Sequence, residues 1–290
     1  MFIIKHWWKL GLLIIVLIAL GAWAYELVAV RGTFVLFHSA ADAGGNAVVA
    51  GASGHRVVGR VYVTETPMSS APLIVLLHGD APFINPGYQY AVANDLANAV
   101  PGTRVVALMR PGYADAFGAR SDGDRGFASG ENYTLSVAND VAVAIRSLKQ
   151  RWGAPSVILV GHSGGAAVAA NIAALTPGLV QHVFLVGCPC DVPAFRRHMA
   201  RLHRSPMWLL PAQSMSPMQT LDRMEKGTEV TAISGVNDPV TLPEYARNYI
   251  AKAKTLGISA SMIILPNEGH EILDNPAVIT QVSQAMRGAH

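Results

Sequence analysis

From Leu73 onward the chain alternates short, unbroken apolar runs with longer stretches of helical periodicity. The runs are Leu73–Leu77, Arg104–Leu108, Ser156–Val160, His182–Val186, Glu229–Ser234 and Ser261–Leu265. Strands without polar alternation are buried on both faces, as in a parallel sheet covered by helices. Between the runs, the pattern predicts helices over Tyr88–Ala99, Thr134–Arg151, Gly164–Leu175, Pro243–Leu256 and Pro276–Arg287. Two of these open on proline, whose missing N–H costs nothing in a first turn. The reading is α/β: a mostly parallel, doubly wound sheet of about eight strands with helices on both faces. Ligands in such a sheet gather at the C-terminal ends of the strands.

Upstream, Thr33–Phe37 and Arg56–Val63 have strand character, and the second alternates as an antiparallel edge strand does. The small-residue stretch Ala40–Gly54 between them has no periodicity and is expected to be a loop. Residues 1–30 stand apart from residues 31–290, which form the main domain. Lys5 and Lys9 precede an uncharged run from Leu10 to Tyr25, which Glu26 ends. As a signal peptide this has a positive start, an apolar centre and Ala22-Trp23-Ala24 as a cleavage site. As a retained transmembrane helix it is about 16 residues long, short of the roughly 20 that span a bilayer. Trp7, Trp8, Trp23 and Tyr25 at its ends favour the anchor, with lysines inside and the main domain outside. Either reading exports the domain, to the periplasmic side in a bacterium.

Composition narrows the partners. The chain has 290 residues, 51% hydrophobic and 14% charged, with a formal net charge of +3, too small and too scattered for nucleic acid. Arg196, Arg197, Arg201 and Arg204, with His198 and His203 between them, read as a solvated helix face, with an anionic substrate or a membrane surface as the alternative. Cys188 and Cys190 form a Cys-Pro-Cys that cannot staple distant parts of a fold, and no ligand spacing completes a zinc site. They are expected to be loop thiols, a local disulfide being the alternative in an oxidising compartment. Residues 188–227, with Trp208, Leu209, Leu210, Met199, Met207, Met215 and Met218, form either a small lid over a substrate pocket or ordinary crossover packing.

The chemistry-bearing residues sit at strand ends. Val157 to Val160 run into Gly161-His162-Ser163-Gly164-Gly165 and then a helix, the context in which Gly-x-Ser-x-Gly is a nucleophile elbow. Leu77-His78-Gly79-Asp80 ends the first parallel strand, where the N–H of Asp80, or of Ala81 beside it, would act with that of Gly164 as an oxyanion hole. Asp238 follows a strand in Ile233-Ser234-Gly235-Val236-Asn237-Asp238-Pro239 and is the expected acid. Asp191, after Cys-Pro-Cys, is a rival. His270, in Asn267-Glu268-Gly269-His270 beyond the last strand, is the expected base.

The order Ser163, Asp238, His270 and the Arg110-Pro111-Gly112-Tyr113 turn resemble the α/β-hydrolase-fold serine hydrolases, from about Arg56 to the C-terminus. The stretch from Ser163 through Cys-Pro-Cys to Ser214-Met215-Ser216-Pro217 is also similar to prolyl-oligopeptidase-like members. The resemblance implies Ser163 as nucleophile, His270 as general base and acid, and Asp238 as orienting acid. The strand end reads His-Gly-Asp-Ala-Pro and not the His-Gly-Gly-Gly of lipases, so no lipase substrate carries over. The expected reaction is acyl transfer from a small-molecule ester or amide to water, with no metal or organic cofactor. A serine peptidase, a membrane-tethered acyltransferase and a non-catalytic binding scaffold are the alternatives.

Overall fold

A computed structural model describes residues 7–32, 44–82, 84–115 and 117–288. Eight strands form one sheet: β1 (Asn46–Ala50), β2 (Val57–Tyr62), β3 (Leu73–Leu77), β4 (Arg104–Leu108), β5 (Val157–His162), β6 (His182–Val186), β7 (Glu229–Gly235) and β8 (Ala260–Leu265). Their spatial order is β1-β2-β4-β3-β5-β6-β7-β8. The β1–β2 and β2–β4 pairs are antiparallel, and every pair from β4 to β8 is parallel. The mostly parallel sheet expected from the apolar runs is the observed one.

Why those runs become strands is visible in β3. All five of its residues are buried, with Leu73, Val75 and Leu77 facing one core and Ile74 and Leu76 the other. Each face is closed by helices. Helices α2 (Tyr88–Ala99) and α8 (Pro276–Gly288) cover one side, and α3 (Leu135–Trp152), α4 (Gly164–Leu175), α5 (Val192–Leu202) and α7 (Pro243–Thr255) contribute to the other. Local chemistry sets the helix ends. Thr134 caps α3 by accepting from the Val137 N–H at 3.2 Å, and Gly153 closes it in the left-handed region at φ 62°.

Two expectations need correcting. Ala40–Gly54 is not all loop, because Asn46–Ala50 forms β1 at the sheet edge, with Val48 and Ala50 turned inward. Five small residues between glycines carry too little periodicity to announce a strand; pairing with β2 makes one. The cysteines are not free thiols: Cys188 and Cys190 are joined, with Cα atoms 5.1 Å apart and both side chains in the core. With a single residue between them, their Cα atoms lie within ordinary bridging distance. The Thr33–Phe37 strand falls outside the described residues.

Helix α1 (Trp7–Gly32) precedes the sheet, and its apolar side chains between Leu10 and Trp23 are solvent-exposed. Among the described residues no helix is long and apolar enough to cross a membrane. The uncharged run of 16 residues makes about 24 Å of helix, less than the ~30 Å hydrocarbon core, so the transmembrane reading of this segment is set aside. Residues 188–227 contain α5, 3₁₀ turns over Pro206–Leu209 and Leu221–Arg223, and the short α6 (Pro217–Thr220). Met199 and Trp208 are core residues, Met215 and Met218 pack against the core, and Leu209 and Leu210 face solvent.

Candidate active site

Strand β5 ends at His162 and α4 begins at Gly164, so Ser163 alone makes the reversal, at φ 52° and ψ −121°. That conformation costs a non-glycine residue of order 1–3 kcal/mol and persists only where the surroundings over-determine it. Here they do. The Ser163 N–H donates to the Val186 carbonyl at 2.8 Å, and its carbonyl accepts from Ala166 at 2.9 Å. The glycine spacing is steric. A Cβ on Gly161 would run into the backbone of Gly165 and Ala166, and one on Gly165 into the carbonyls of Leu77 and His78.

The loops after β7 and β8 bring the second and third groups to this turn. They are zipped to each other by Val236 N–H to Leu265 (3.0 Å) and Asn237 N–H to Glu268 (2.8 Å). His270 thereby lies with Nε2 2.9 Å from Ser163 Oγ and Nδ1 2.8 Å from Asp238 Oδ2. Asp238 is itself fixed, its Oδ1 accepting from the Val240 and Thr241 N–H groups at 2.8 Å each and its Oδ2 from Thr241 Oγ at 2.6 Å. Burial by itself would raise the Asp238 carboxyl, but the hydrogen bonds and charge of His270, with the Thr241 bonds, hold it below the usual range. Burial lowers His270, and the hydrogen bond and charge of Asp238 outweigh it, so the imidazole is more basic than usual. Asp191, the rival acid, instead caps α5 by accepting from Ala194 N–H at 3.0 Å.

On the other side of Ser163 the strand-end turn is held by side chains that sequence reasoning missed. Tyr88 Oη accepts from the Gly79 N–H at 2.6 Å and lies 2.9 Å from His162 Nδ1. His162 Nε2 is 3.1 Å from the His270 carbonyl. A carbonyl only accepts, so His162 carries its proton on Nε2 and Tyr88 donates to Nδ1. His78 is constrained likewise, accepting the Arg110 N–H on Nε2 at 3.1 Å and donating from Nδ1 to the Gly79 carbonyl at 2.7 Å. Burial above all pushes both imidazoles down to about 3, which keeps them neutral.

Asp80 does more than present its backbone. Its carboxylate accepts from Arg110 Nη1 (2.8 Å), Gly130 N–H (2.8 Å) and Tyr133 Oη (2.6 Å), and it packs directly against the Cα of Gly164. Among the described residues no side chain takes up the Asp80 or Gly164 N–H, whereas the Ala81 N–H lies 3.4 Å from Tyr113 Oη. Nothing in the sequence signals the Asp80–Arg110 pairing, because the two lie on separate strand ends that only the sheet brings together.

An eight-stranded sheet of this order, with a strand–Ser163–helix reversal at its centre, is the α/β-hydrolase fold. A family model described as "alpha/beta hydrolase fold" matches residues 72–203. The structure is similar to the acylaminoacyl peptidase of Pyrococcus horikoshii, with a TM-score of 0.62 and 14% identity over 84% of this chain and 41% of the peptidase. The chain thus spans less than half of that enzyme. It is also similar to Est1E from Butyrivibrio proteoclasticus (TM-score 0.61, 14% identity, 85% of this chain and 99% of Est1E). An esterase from Pyrococcus furiosus gives a TM-score of 0.63 at 12% identity, over 88% of this chain and 94% of the esterase. A search of curated proteins finds no match.

Proposed function

We propose that the chain is a serine hydrolase that cleaves a small-molecule ester, or an amide, through an acyl-enzyme. The single observation that carries this reading is the continuous bonding path from Ser163 Oγ through His270 to Asp238. A serine hydroxyl is a weak nucleophile unless a neighbouring base accepts its proton as it attacks. In this reading His270 Nε2 takes that proton while Ser163 Oγ adds to the substrate carbonyl. Asp238 holds the Nδ1–H tautomer and stabilises the imidazolium, and the Asp80 and Gly164 N–H groups receive the oxyanion. Collapse expels the alcohol or amine, protonated by His270. Water, deprotonated by the same nitrogen, then releases the acid and regenerates Ser163.

The similar structures include both peptidases and esterases, and we take the small-molecule ester as the first reading. A structure of Est1E holds ferulic acid and aligns over 80% of this chain at 14% identity. We further infer that the catalytic domain, residues 31–290, is exported. The lysines before the apolar run and the Cys188–Cys190 bond both suit a compartment where disulfides persist.

The test is turnover of p-nitrophenyl esters of increasing acyl length by the full chain and by Ser163→Ala, with fluorophosphonate labelling of both. Hydrolysis and labelling confined to the wild type support the reading. Equal labelling of the two proteins would remove Ser163 as nucleophile, and a folded wild type inert toward every ester and amide would remove the hydrolase assignment.

A further inference from the structure

We propose that the face formed by Arg197, Arg201 and Arg204 with Leu209 and Leu210 docks the protein on an anionic lipid surface. The proposal stands independently of the reaction. Arg197 and Arg201, four residues apart, share one face of α5 on successive turns about 5 Å apart, and Arg204 follows just beyond the helix end. With Ser205, Pro206 and Leu209 they line an open concavity of about 320 Å³. None of the three forms an ion pair among the described residues. Their neighbour Arg196 behaves oppositely: it is buried and donates to the carbonyls of Gly130 (3.3 Å) and Leu210 (3.0 Å).

Arg204 sits in the left-handed region at φ 51°, the place after a helix where glycine is the usual residue. A guanidinium there is kept against the backbone preference, which points to a use for its charge. The leucines beside it are exposed by construction. Trp208 is buried edge-on against Phe195 and stacked on His203, so the 3₁₀ turn is fixed and its next residues are forced outward. Leu209 is 61% exposed, Leu210 58% and Leu202 46%.

Unpaired cations bordering fixed, outward aliphatic side chains match the boundary between phosphate headgroups and acyl chains. Protein interfaces are instead enriched in aromatic anchors, and the one aromatic residue of this turn is turned inward. Each arginine near an anionic bilayer is worth about fivefold in partitioning, so three together are worth on the order of a hundredfold.

The experiment is co-sedimentation of the full chain with vesicles of phosphatidylcholine alone and of phosphatidylcholine with phosphatidylglycerol. Helix α1 is present in every sample and its contribution cancels between variants. The proposal expects wild type to favour the anionic vesicles by about 10²-fold at low salt, with the preference abolished by high salt. It expects the Arg197→Gln/Arg201→Gln/Arg204→Gly protein to lose that preference while binding neutral vesicles as wild type does. Arg204→Gly suits the left-handed turn, and an unchanged thermal melting temperature confirms that the triple variant folds. Leu209→Ser/Leu210→Ser should weaken binding to the anionic vesicles while leaving the salt dependence intact. Equal wild-type binding to both vesicle types, or unaltered anionic binding by the triple variant, overturns the proposal. So does full displacement by inorganic phosphate at an ionic strength where sodium chloride displaces nothing, which would make this a soluble-anion site.

Discussion

Asp80 and Arg110 form an ion pair buried on both sides, 2.8 Å from Oδ1 to Nη1, in contact with the Cα of Gly164. Burial opposes the Arg110 charge, and Tyr113, Asp80 and Tyr133 more than compensate, so the guanidinium stays protonated. On the proposed mechanism the pair neutralises a carboxylate that would otherwise oppose negative charge developing beside Gly164. Removing one partner strands the other in the core. Asp80→Ala is expected to cost about 3–5 kcal/mol of stability, read by urea unfolding. A loss below about 1 kcal/mol would show that water reaches Arg110 and that the pair is not buried in solution.

Thr241 is the hydroxyl behind the Asp238 carboxylate, donating at 2.6 Å while lying 3.1 Å from His270 Nδ1. Thr241→Val preserves shape and removes one hydrogen bond to a charged acceptor, worth about 1.5–3 kcal/mol. On the proposed mechanism kcat should fall by about 10- to 100-fold with KM little changed. Steady-state kinetics that return a wild-type kcat would show that Asp238 needs no help from Thr241.

Tyr88→Phe tests the chain of bonds from Gly79 to His162. The substitution leaves a buried N–H and a buried imidazole nitrogen unsatisfied, at about 1–3 kcal/mol each. Stability should drop by about 2–6 kcal/mol. Slower ester turnover should accompany it, since the Gly79 turn presents the Asp80 N–H. A variant as stable as wild type would mean that water replaces the phenol.

The buried histidines set the response to acid. His78 and His162 titrate at about 3 in the folded protein, below the ~6.5 of an unfolded histidine. Between those values the unfolded chain binds up to two more protons. Stability is therefore intact above about pH 6.5 and falls as pH drops, by about 2.7 kcal/mol per unit once both are charged in the unfolded chain. Asp238, depressed when folded, adds a loss only below about pH 4. His270 has the opposite sign: its raised value contributes stability that is complete below about 6.5 and lost as pH rises through the folded value. Glu271, raised to about 7 chiefly by burial, opposes the histidines, gaining stability as pH falls from about 7 toward 4.5. Urea unfolding from pH 7 to pH 4 of wild type and of Glu271→Gln separates the two, and a Glu271→Gln protein with no loss toward pH 4 would show that the two imidazoles are not buried neutral.

On the proposed mechanism the same raised His270 governs activity. On the proposed mechanism only the neutral imidazole accepts the Ser163 proton, so kcat/KM should climb as pH rises through the raised value. Asp238→Asn removes the hydrogen bond and charge that raise it. Its acid limb should shift to lower pH while its plateau falls by orders of magnitude, as loss of a triad acid does. A pH–rate profile in which the limb stays in place would detach that limb from His270.

The sequence by itself determined the features that rest on local pattern. Unbroken apolar runs such as Leu73–Leu77 had to be buried on both faces, and that demand alone yields a parallel sheet between helices. The steric needs of a tight strand–helix turn are written in Gly161 and Gly165, and Asp238 and His270 were legible as polar residues just beyond apolar runs. Pairing decided the rest. Asn46–Ala50 became a strand only because β2 offered it an edge, and Cys188 is joined to Cys190 where the chain past β6 brings their Cα atoms to 5.1 Å. Which acid meets His270 was settled by the backbone bonds that zip the β7 and β8 loops together, leaving Asp191 to cap a helix. Asp80 finds Arg110, and Tyr88 finds His162, across 30 and 74 residues of chain. No periodicity encodes such meetings, because they depend on which strands lie side by side in the folded sheet.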